Sequence, residues 1–521
     1  MKQTFIRLVL LLMSVALVLT ATGCGKEDAV EINAPAVLQS LLEQVTFETE
    51  LSEVGSNAAL YFPGLPEGTD IKLHTGSGYY ADEVAMLTLS NASDGSGAMK
   101  VVEKHIEELR SQYKNYVPEE VWKIDHAVTH LSGRHLFLCI TGDYESASLI
   151  LKNADDSSYQ LAEAKTLQCI RASEPETLSD AETPRYIGAN APETQPDAES
   201  APHKESEETA VPRLRSKDGI YHDYGTCAVR VDNSAFELYA YEEAPAEAYA
   251  KLVNRTADAL ADKTTVYQLT IPTAVGIVLP DDIAQHLPGY TDQGSAVQKI
   301  CSKMANNVVT VNCFDILREH RNEYLYFRTD YHWNGKGAYY AYESFCETKG
   351  IDVIPLEERE EKQFSGFLGA LYWHNSNEDP VLAKEPDTVF AYYPKSENAR
   401  MAFTDKNGNT YNWDIIADVT NWKSSAKYST FAGADNPFAV FTNPDVTDGS
   451  VCIVVKESYG NALLPYLVDH YSTVYEIDYR YWKGDLIDFA MEKAADDLLF
   501  ANNLSMIRSN FLVGKLADII R

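Results

Sequence analysis

The chain has 521 residues, a formal net charge of −33 and 45% hydrophobic residues, and this length predicts more than one domain. So acidic a surface repels nucleic acid and anionic lipid headgroups, which excludes a nucleic-acid partner and disfavours a polyanionic substrate. The eight cysteines are scattered, without Cys-x-x-Cys spacing and without paired histidines at metal-ligand spacing. We therefore expect no disulfide framework, no metal site and no cofactor.

The first 24 residues predict export. Lys2 and Arg7 form a short basic region before an apolar run, 8–19, that is too short for a comfortable membrane span. Small residues lead to Cys24 and a polar segment follows, a pattern that resembles a bacterial lipobox. We expect a lipidated Cys24 that anchors an extracytoplasmic protein to the cell membrane. The alternative is an ordinary signal peptide with an unmodified cysteine.

Residues 171–217 form a predicted acidic, proline-rich linker. Between 172 and 212 lie six prolines, ten acidic residues and two basic residues, with almost no large apolar side chains. Such a segment cannot bury enough apolar surface to offset the entropy lost on ordering, so we expect disorder. The linker separates a predicted domain at 33–170 from a second one at 218–521.

The segment 33–170 predicts a small α+β domain. Hydrophobic periodicity places helices at 34–42, 97–113 and 144–151 and a buried strand at 135–140. The order of features, with a Tyr-x-Pro-Glu step at 116–119 after the long helix, resembles a family of small Gram-positive lipoproteins that carry a domain of unknown function. The resemblance implies an envelope location and no chemistry.

In the segment 218–521, predicted strands alternate with helices. Strands are expected at 227–231, 236–241, 266–271, 308–311, 451–455 and 474–477, and helices at 246–261, 294–304, 335–347 and 459–470. The run at 451–455 is continuously apolar, which is typical of a strand covered on both faces. This alternation predicts a three-layer α/β fold with a mainly parallel sheet.

Asp330 and His332 are candidate catalytic residues because side chains two apart in an extended segment project to the same side. A carboxylate that orients a histidine is two-thirds of a hydrolytic triad. The alternatives are that Asp330 caps the helix that begins near Asn334 and that His332 packs on Trp333.

Ser458 is the candidate nucleophile, since it follows the strand at 451–455 and precedes a helix. Ligands of α/β proteins bind beyond the carboxyl ends of parallel strands. Amides near Ser458 and Tyr459 could stabilise an oxyanion, with Gly460 giving close approach and Asn461 a side-chain donor. Serines also cap helices, and local sequence alone favours that interpretation.

Several blocks of 218–521 resemble, in order, the DHHW family, extracytoplasmic proteins related to the SGNH-like alginate O-acetyltransferases. These blocks lie at 270–273, 326–339, 364–369, 456–467 and 477–481. The resemblance implies a circularly permuted SGNH triad of Asp330, His332 and Ser458. Two departures occur: Tyr331 replaces a histidine, and Glu457 replaces the usual aspartate, where its greater length could alter access to the nucleophile.

Together these features predict acyl transfer from an acetyl donor or donor protein to a surface or extracellular polysaccharide, or to water. Five aromatic side chains offer surfaces for sugar rings, although core packing is the alternative for each: Tyr331, Trp333, Tyr372, Trp373 and Tyr479. Arg480 could orient a substrate anion, but we favour an ion pair with Asp478. A non-catalytic glycan-binding or scaffold lipoprotein, or one with a vestigial site, remains the alternative to an enzyme.

Overall fold

The computed structural model describes residues 32–76, 80–116, 120–155, 221–224, 228–375 and 379–521. The predicted signal segment with Cys24, the linker at 171–217 and residues 117–119 of the Tyr-x-Pro-Glu step lie outside these ranges. The strand expected at 227–231 also begins outside them, and its described part starts at Ala228.

The strands, numbered along the chain, are β1 Ser52–Glu53, β2 Asp70–Thr75, β3 Glu83–Thr88, β4 Val128–Ser132, β5 His135–Ile140, β6 His222–Asp223, β7 Ala228–Val231, β8 Ser234–Glu237, β9 Thr265–Ile271, β10 Val308–Val311, β11 Glu361–Phe367, β12 Asp387–Tyr392, β13 Arg400–Thr404, β14 Thr410–Trp413, β15 Phe438–Thr442, β16 Val451–Lys456, β17 Thr473–Asp478 and β18 Asp497–Asn503. The strands predicted at 135–140 and 308–311 are confirmed at both ends.

The helices are α1 Ala34–Gln44, α2 Gly95–Tyr116, α3 Val121–Asp125, α4 Tyr144–Lys152, α5 Glu243–Ala259, α6 Ala274–Ile277, α7 Asp281–Ala284, α8 Gln293–Cys301, α9 Phe314–Glu319, α10 Gly335–Lys349, α11 Pro380–Ala383, α12 Leu464–Leu467, α13 Leu486–Glu492, α14 Leu504–Ile507 and α15 Asn510–Asp518. The 3₁₀ segments include Ser424–Thr430 and the turn Ser458–Ala462, and Leu371–Asn375 is a π-helical turn. Across the described ranges, no helix has the length and apolar character needed to cross a membrane.

The N-terminal part, residues 32–155, contains an antiparallel sheet in the order β1-β2-β3-β5-β4. Successive side chains of a strand point to opposite faces. From β5, Phe137 and Cys139 pack with residues of α1 and α4, whereas Leu136 and Leu138 join the larger core that includes residues of α2. Helices therefore cover both faces of this sheet.

The C-terminal part, residues 221–521, is built on an eight-stranded sheet in the order β10-β9-β18-β16-β17-β15-β13-β14. The strands from β10 to β17 are parallel to one another. The strands β15, β13 and β14 continue the sheet with antiparallel pairing. The sheet is therefore mixed, with a parallel half that carries the predicted βα alternation and an antiparallel half that the sequence did not reveal.

The centre of the parallel half is fully buried. Residues 452–455 of β16 have no exposed surface, and every residue of β18 is buried. This confirms the prediction that the apolar run at 451–455 is covered on both faces. The cysteines of two apolar strands, Cys139 of β5 and Cys452 of β16, are likewise buried.

The single helix predicted at 459–470 is wrong. The chain forms the 3₁₀ turn Ser458–Ala462 and then the short helix α12, in which proline occupies the first turn. Gly460 sits against the strand it has just left, since a Cβ at this position would lie 2.5 Å from Cβ of Lys456. This close approach favours a tight turn over a regular α-helix. The strand predicted at 236–241 also ends early, at Glu237.

The N-terminal part packs against α15 at the end of the chain. The Tyr61 hydroxyl donates to Asp518 Oδ2 at 2.8 Å, and Lys515 Nζ donates to Thr75 Oγ1 at 3.2 Å. Burial lowers the pKa of Lys515, although Asp518 opposes this shift. The two parts thus share polar contacts between buried groups as well as apolar ones.

Candidate active site

The candidate site lies where the parallel strands of the C-terminal sheet end. Ser458 is separated from the last residue of β16 by one residue and begins the turn Ser458–Ala462. Asp330 and His332 lie between α9 and α10, where an antiparallel bridge joins Tyr326 to Trp333. Residues 126 positions apart in sequence therefore meet at the edge where ligands of parallel sheets bind.

Ser458, His332 and Asp330 form one line of hydrogen bonds. Ser458 Oγ lies 2.7 Å from His332 Nε2, and His332 Nδ1 lies 2.6 Å from Asp330 Oδ1. All three residues are at most 5% exposed. The order hydroxyl, imidazole, carboxylate is that of a nucleophile, a general base and the group that orients the base.

The capping alternatives for two of these residues are wrong. The N-cap of α10 is Asn334, whose side chain accepts from the amides of Lys336 and Gly337. The cap of the turn that begins at Ser458 is Glu457, whose side chain accepts from the Tyr459 amide. Asp330 and Ser458 are thus left to contact His332.

The Asp330 carboxylate is held by three donors. Besides the imidazole, Oδ1 accepts from the His332 amide at 2.9 Å, and Oδ2 accepts from the Ala370 amide at 2.7 Å. Burial alone would raise the pKa of Asp330, but the charge and hydrogen bonds of His332 and the Ala370 amide lower it below the ordinary value. Asp330 is therefore ionised and orients the Nδ1–H tautomer of His332.

Gly369 fits closely against this carboxylate. A Cβ at position 369 would lie 2.2 Å from both Cβ and Oδ2 of Asp330. The Gly369 amide also donates to Thr329 Oγ1 at 3.0 Å. The loop at 366–371 consequently wraps the acid, and only glycine permits that contact without displacing it.

Tyr428, which no sequence motif marked, contacts two members of the line. Its ring stacks on the His332 imidazole with centroids 4.1 Å apart and planes 14° apart. Its hydroxyl donates to the Ser458 carbonyl at 3.0 Å. Burial, with a contribution from the charge of Asp330, raises the pKa of Tyr428 well above its usual range, so the hydroxyl stays protonated.

Three aromatic residues join the histidine segment to the serine turn. Trp333 is fully buried and its Nε1 donates to the Tyr459 carbonyl at 2.9 Å, while the Tyr459 hydroxyl donates to the Tyr331 carbonyl. Tyr331 lies beside His332, with ring centroids 4.3 Å apart. Trp333 and Tyr459 therefore position the two segments and present no surface to a sugar.

One of the two amides that we expected to serve an oxyanion, that of Tyr459, already has a partner within the turn. The Tyr459 amide donates to Glu457 Oε2 at 3.0 Å, and the Gly460 amide donates to the Glu457 carbonyl at 2.9 Å. The other carboxylate oxygen of Glu457 accepts from the Asn503 amide at 2.9 Å. The longer side chain of Glu457 thus bridges the ends of β16 and β18.

A buried charged network supports Asn461. Its Oδ1 accepts from Lys456 Nζ at 2.5 Å, and its Nδ2 donates to Asp435 Oδ1 at 3.0 Å. Arg480 forms ion pairs with Asp435 at 3.0 Å and with Asp478 at 2.6 Å, which confirms the predicted Arg480–Asp478 pair. Burial would raise the pKa of Asp435, but Arg480 and Lys456 lower it to about 2.

Five cysteines in the described ranges are free thiols: Cys139, Cys301, Cys313, Cys346 and Cys452. Within the same ranges, the structure brings together no group of three or more His, Cys, Asp and Glu side chains that could hold a metal ion.

The family model described as "DHHW protein" matches residues 216–477, half of the chain. The chain belongs to the DHHW family. The match stops before β18, yet β18 lies between β9 and β16 in the sheet. The eight-stranded sheet of this chain therefore includes a strand that follows the matched residues. Among curated proteins, none matches this chain in sequence.

Solved structures resemble a little more than half of the chain. A DHHW family protein from Eubacterium siraeum is 26% identical, with a TM-score of 0.50 over 56% of this chain and 95% of that one. PatB1 of Bacillus cereus, solved with a sulfonyl adduct, is 16% identical, with a TM-score of 0.46 over 54% and 95%. The O-acetyltransferase domain of Pseudomonas putida AlgJ is 14% identical, with a TM-score of 0.31 over 54% and 90%.

Proposed function

We propose that this DHHW protein is a serine-dependent acyl-transfer enzyme, an O-acetyltransferase or acetylesterase that acts on a cell-surface or extracellular polysaccharide. The observation that carries the proposal is the continuous hydrogen-bonded line from Ser458 through His332 to Asp330, at the carboxyl ends of the parallel strands. We further propose an SGNH-like three-layer domain at 218–521, joined by the linker to the N-terminal domain at 33–170.

In the proposed reaction, Ser458 Oγ attacks the carbonyl carbon of an acetyl ester while His332 Nε2 accepts the hydroxyl proton. Collapse of the tetrahedral intermediate expels the donor alcohol, which takes that proton from the imidazolium. A sugar hydroxyl or water then attacks the acetyl-serine, with His332 again as the base. The low pKa of Asp330 keeps a negative charge beside the imidazolium throughout.

Two donors suit the oxyanion of this intermediate. Ser458 is the first residue of its helical turn, where backbone amides lack partners within the turn. The Asn461 side-chain amide has two N–H groups, one of which serves Asp435. We assign the Ser458 amide and the second Asn461 N–H to the oxyanion, with Lys456 fixing the orientation of Asn461.

We propose that the protein acts outside the cytoplasm and is held at the membrane by a lipid on Cys24. The support is the basic start, the apolar run and the small residues before Cys24. Cys24→Ser should abolish incorporation of labelled palmitate in cells and release the protein from the membrane fraction. A variant that stays labelled would contradict the anchor and leave the chemistry untouched.

The test of the activity is hydrolysis of 4-nitrophenyl acetate by the purified chain. We expect turnover in the native protein and a loss of about 10³-fold or more in Ser458→Ala, since the nucleophile is removed. Ser505→Ala, at a serine that contacts Glu237, is the matched control. Equal rates for Ser458→Ala and the native chain would contradict the proposal and favour a non-catalytic glycan-binding protein.

A further inference from the structure

The candidate sugar-stacking aromatics differ sharply in exposure. Trp333 has no exposed surface, Tyr479 is 1% exposed and Tyr372 is 7% exposed, so core packing accounts for all three. Trp373 is 41% exposed and is one of the few large apolar side chains of the described ranges that face solvent. Tyr331 is half-buried, so Trp373 is the most exposed of the five candidates.

The segment that carries Trp373 is hydrogen-bonded directly to Asp330 and to the preceding residue, Thr329. Three residues before Trp373, the Ala370 amide donates to Asp330 Oδ2 at 2.7 Å. One residue before it, the Tyr372 amide donates to the Thr329 carbonyl at 3.0 Å. The exposed indole therefore lies only a few residues along the chain from backbone amides that bond to Asp330 and Thr329.

The indole is held in one orientation. Its Nε1 donates to the Leu368 carbonyl at 2.8 Å, and the buried Tyr372 ring packs edge-on against it with centroids 4.9 Å apart and planes 73° apart. Both residues belong to the π-helical turn Leu371–Asn375, a conformation often found at functional sites. The only polar group of the side chain is satisfied within the protein, so its exposed part is a rigid apolar surface.

We propose that Trp373 stacks on a pyranose ring of the polysaccharide and forms a subsite beside the Ser458–His332–Asp330 line. An indole whose N–H is already bonded offers only its ring faces, which can stack on the flat C–H face of a sugar and can also attract a cation but not an anion. The net charge of −33 selects against an anionic polymer, so the ring belongs to a neutral or cationic sugar. The inference rests on the proposed function, because it supplies the binding subsite for that substrate.

The test measures binding separately from catalysis. In the Ser458→Ala background, titration calorimetry with cellopentaose and with chitopentaose compares the parent chain, Trp373→Ala and Trp373→Tyr. We expect Trp373→Ala to weaken binding of at least one oligosaccharide about tenfold, equal to about 1.4 kcal/mol, and Trp373→Tyr to keep it within about threefold of the parent. Trp122→Ala is the matched control, since Trp122 is 49% exposed in α3 of the N-terminal part.

A second measurement uses the active chain with acetyl transfer from 4-nitrophenyl acetate to the same oligosaccharides. We expect Trp373→Ala to raise the KM for the oligosaccharide and to leave the KM for the ester nearly unchanged. The fold-increase for the oligosaccharide should be at least about five times that for the ester, which equals about 1 kcal/mol of lost oligosaccharide binding. Equal oligosaccharide binding by Trp373→Ala and its parent would overturn the subsite, as would no binding by the parent. Lack of ester turnover in the native chain would instead contradict the proposed function and leave the binding result standing.

Discussion

Tyr428 offers the sharpest perturbation of the candidate site, because one side chain contacts both the base and the nucleophile's backbone. Tyr428→Phe removes only the hydroxyl that donates to the Ser458 carbonyl at 3.0 Å and keeps the ring on His332. Tyr428→Leu removes the hydroxyl and the aromatic face together. The pair of variants separates support of the serine turn from support of the imidazole.

The expected magnitudes follow from the two contacts. Loss of the hydroxyl should cost about 1 kcal/mol of stability and lower kcat by no more than about fivefold. Loss of the stack removes about 1 kcal/mol of ring packing. It also removes about 1–2 kcal/mol of attraction to the imidazolium, which forms only as the reaction proceeds. The ring packing is equal before and during the reaction and affects stability, whereas the attraction to the imidazolium is worth about 5- to 30-fold in kcat. With up to about fivefold from the hydroxyl, Tyr428→Leu should lower kcat about 5- to 150-fold, with a small change in KM for a small ester.

The assay is 4-nitrophenyl acetate hydrolysis, with each rate divided by the concentration of sites that react with a fluorophosphonate. Tyr466→Phe is the matched control, since this buried hydroxyl donates to the Gly335 carbonyl at 2.7 Å and does not contact the triad. It should lose comparable stability with little change in the rate per site. A rate per site for Tyr428→Leu within threefold of the native value would refute the reasoning.

Three further predictions concern the acid and the charges around the site. Asp330→Asn should lower kcat about 10³- to 10⁴-fold, measured by ester hydrolysis, because the amide no longer selects the Nδ1–H tautomer. Gly369→Ala should lower kcat about 100-fold, because the new methyl displaces the Asp330 carboxylate, whereas Gly97→Ala, at an open position, should not change it. The pKa of Asp435 is lowered to about 2, so its stabilisation is present above its ordinary pKa near 4 and is lost as pH falls towards 2. The unfolding free-energy difference between the native chain and Asp435→Asn should thus shrink by roughly 2 kcal/mol from pH 5 to pH 2 in urea titrations.

The parts of the fold that the sequence predicts are those with a local signature. The strand His135–Ile140 and the long helix Gly95–Tyr116 follow from an apolar run and from helical spacing. β18 was missed because its apolar run, 498–501, is only four residues long and is flanked by Asp497 and two terminal asparagines, although the strand occupies the middle of the sheet. Polar residues are accommodated there because Asp497 accepts from Lys349 and Tyr471.

The site could be predicted only at residues that carry a local sequence signal. Asp330 and His332 are two residues apart, and Ser458 follows a recognisable strand, so the three could be nominated together. Tyr428 was not predictable, because its role depends on how a 3₁₀ turn packs against two distant segments. The Tyr459 amide was expected to serve the oxyanion for a related reason, since only the fold shows that it donates to the Glu457 side chain.

The central claim is that Ser458 carries the acyl group during turnover. The most direct measurement is intact-protein and peptide mass spectrometry of the native chain quenched in acid during steady-state hydrolysis of 4-nitrophenyl acetate. We predict the mass of one added acetyl group on the peptide that contains Ser458, in the native chain and not in Ser458→Ala. Acetylation at another residue, or the same acetylation in Ser458→Ala, would contradict the mechanism.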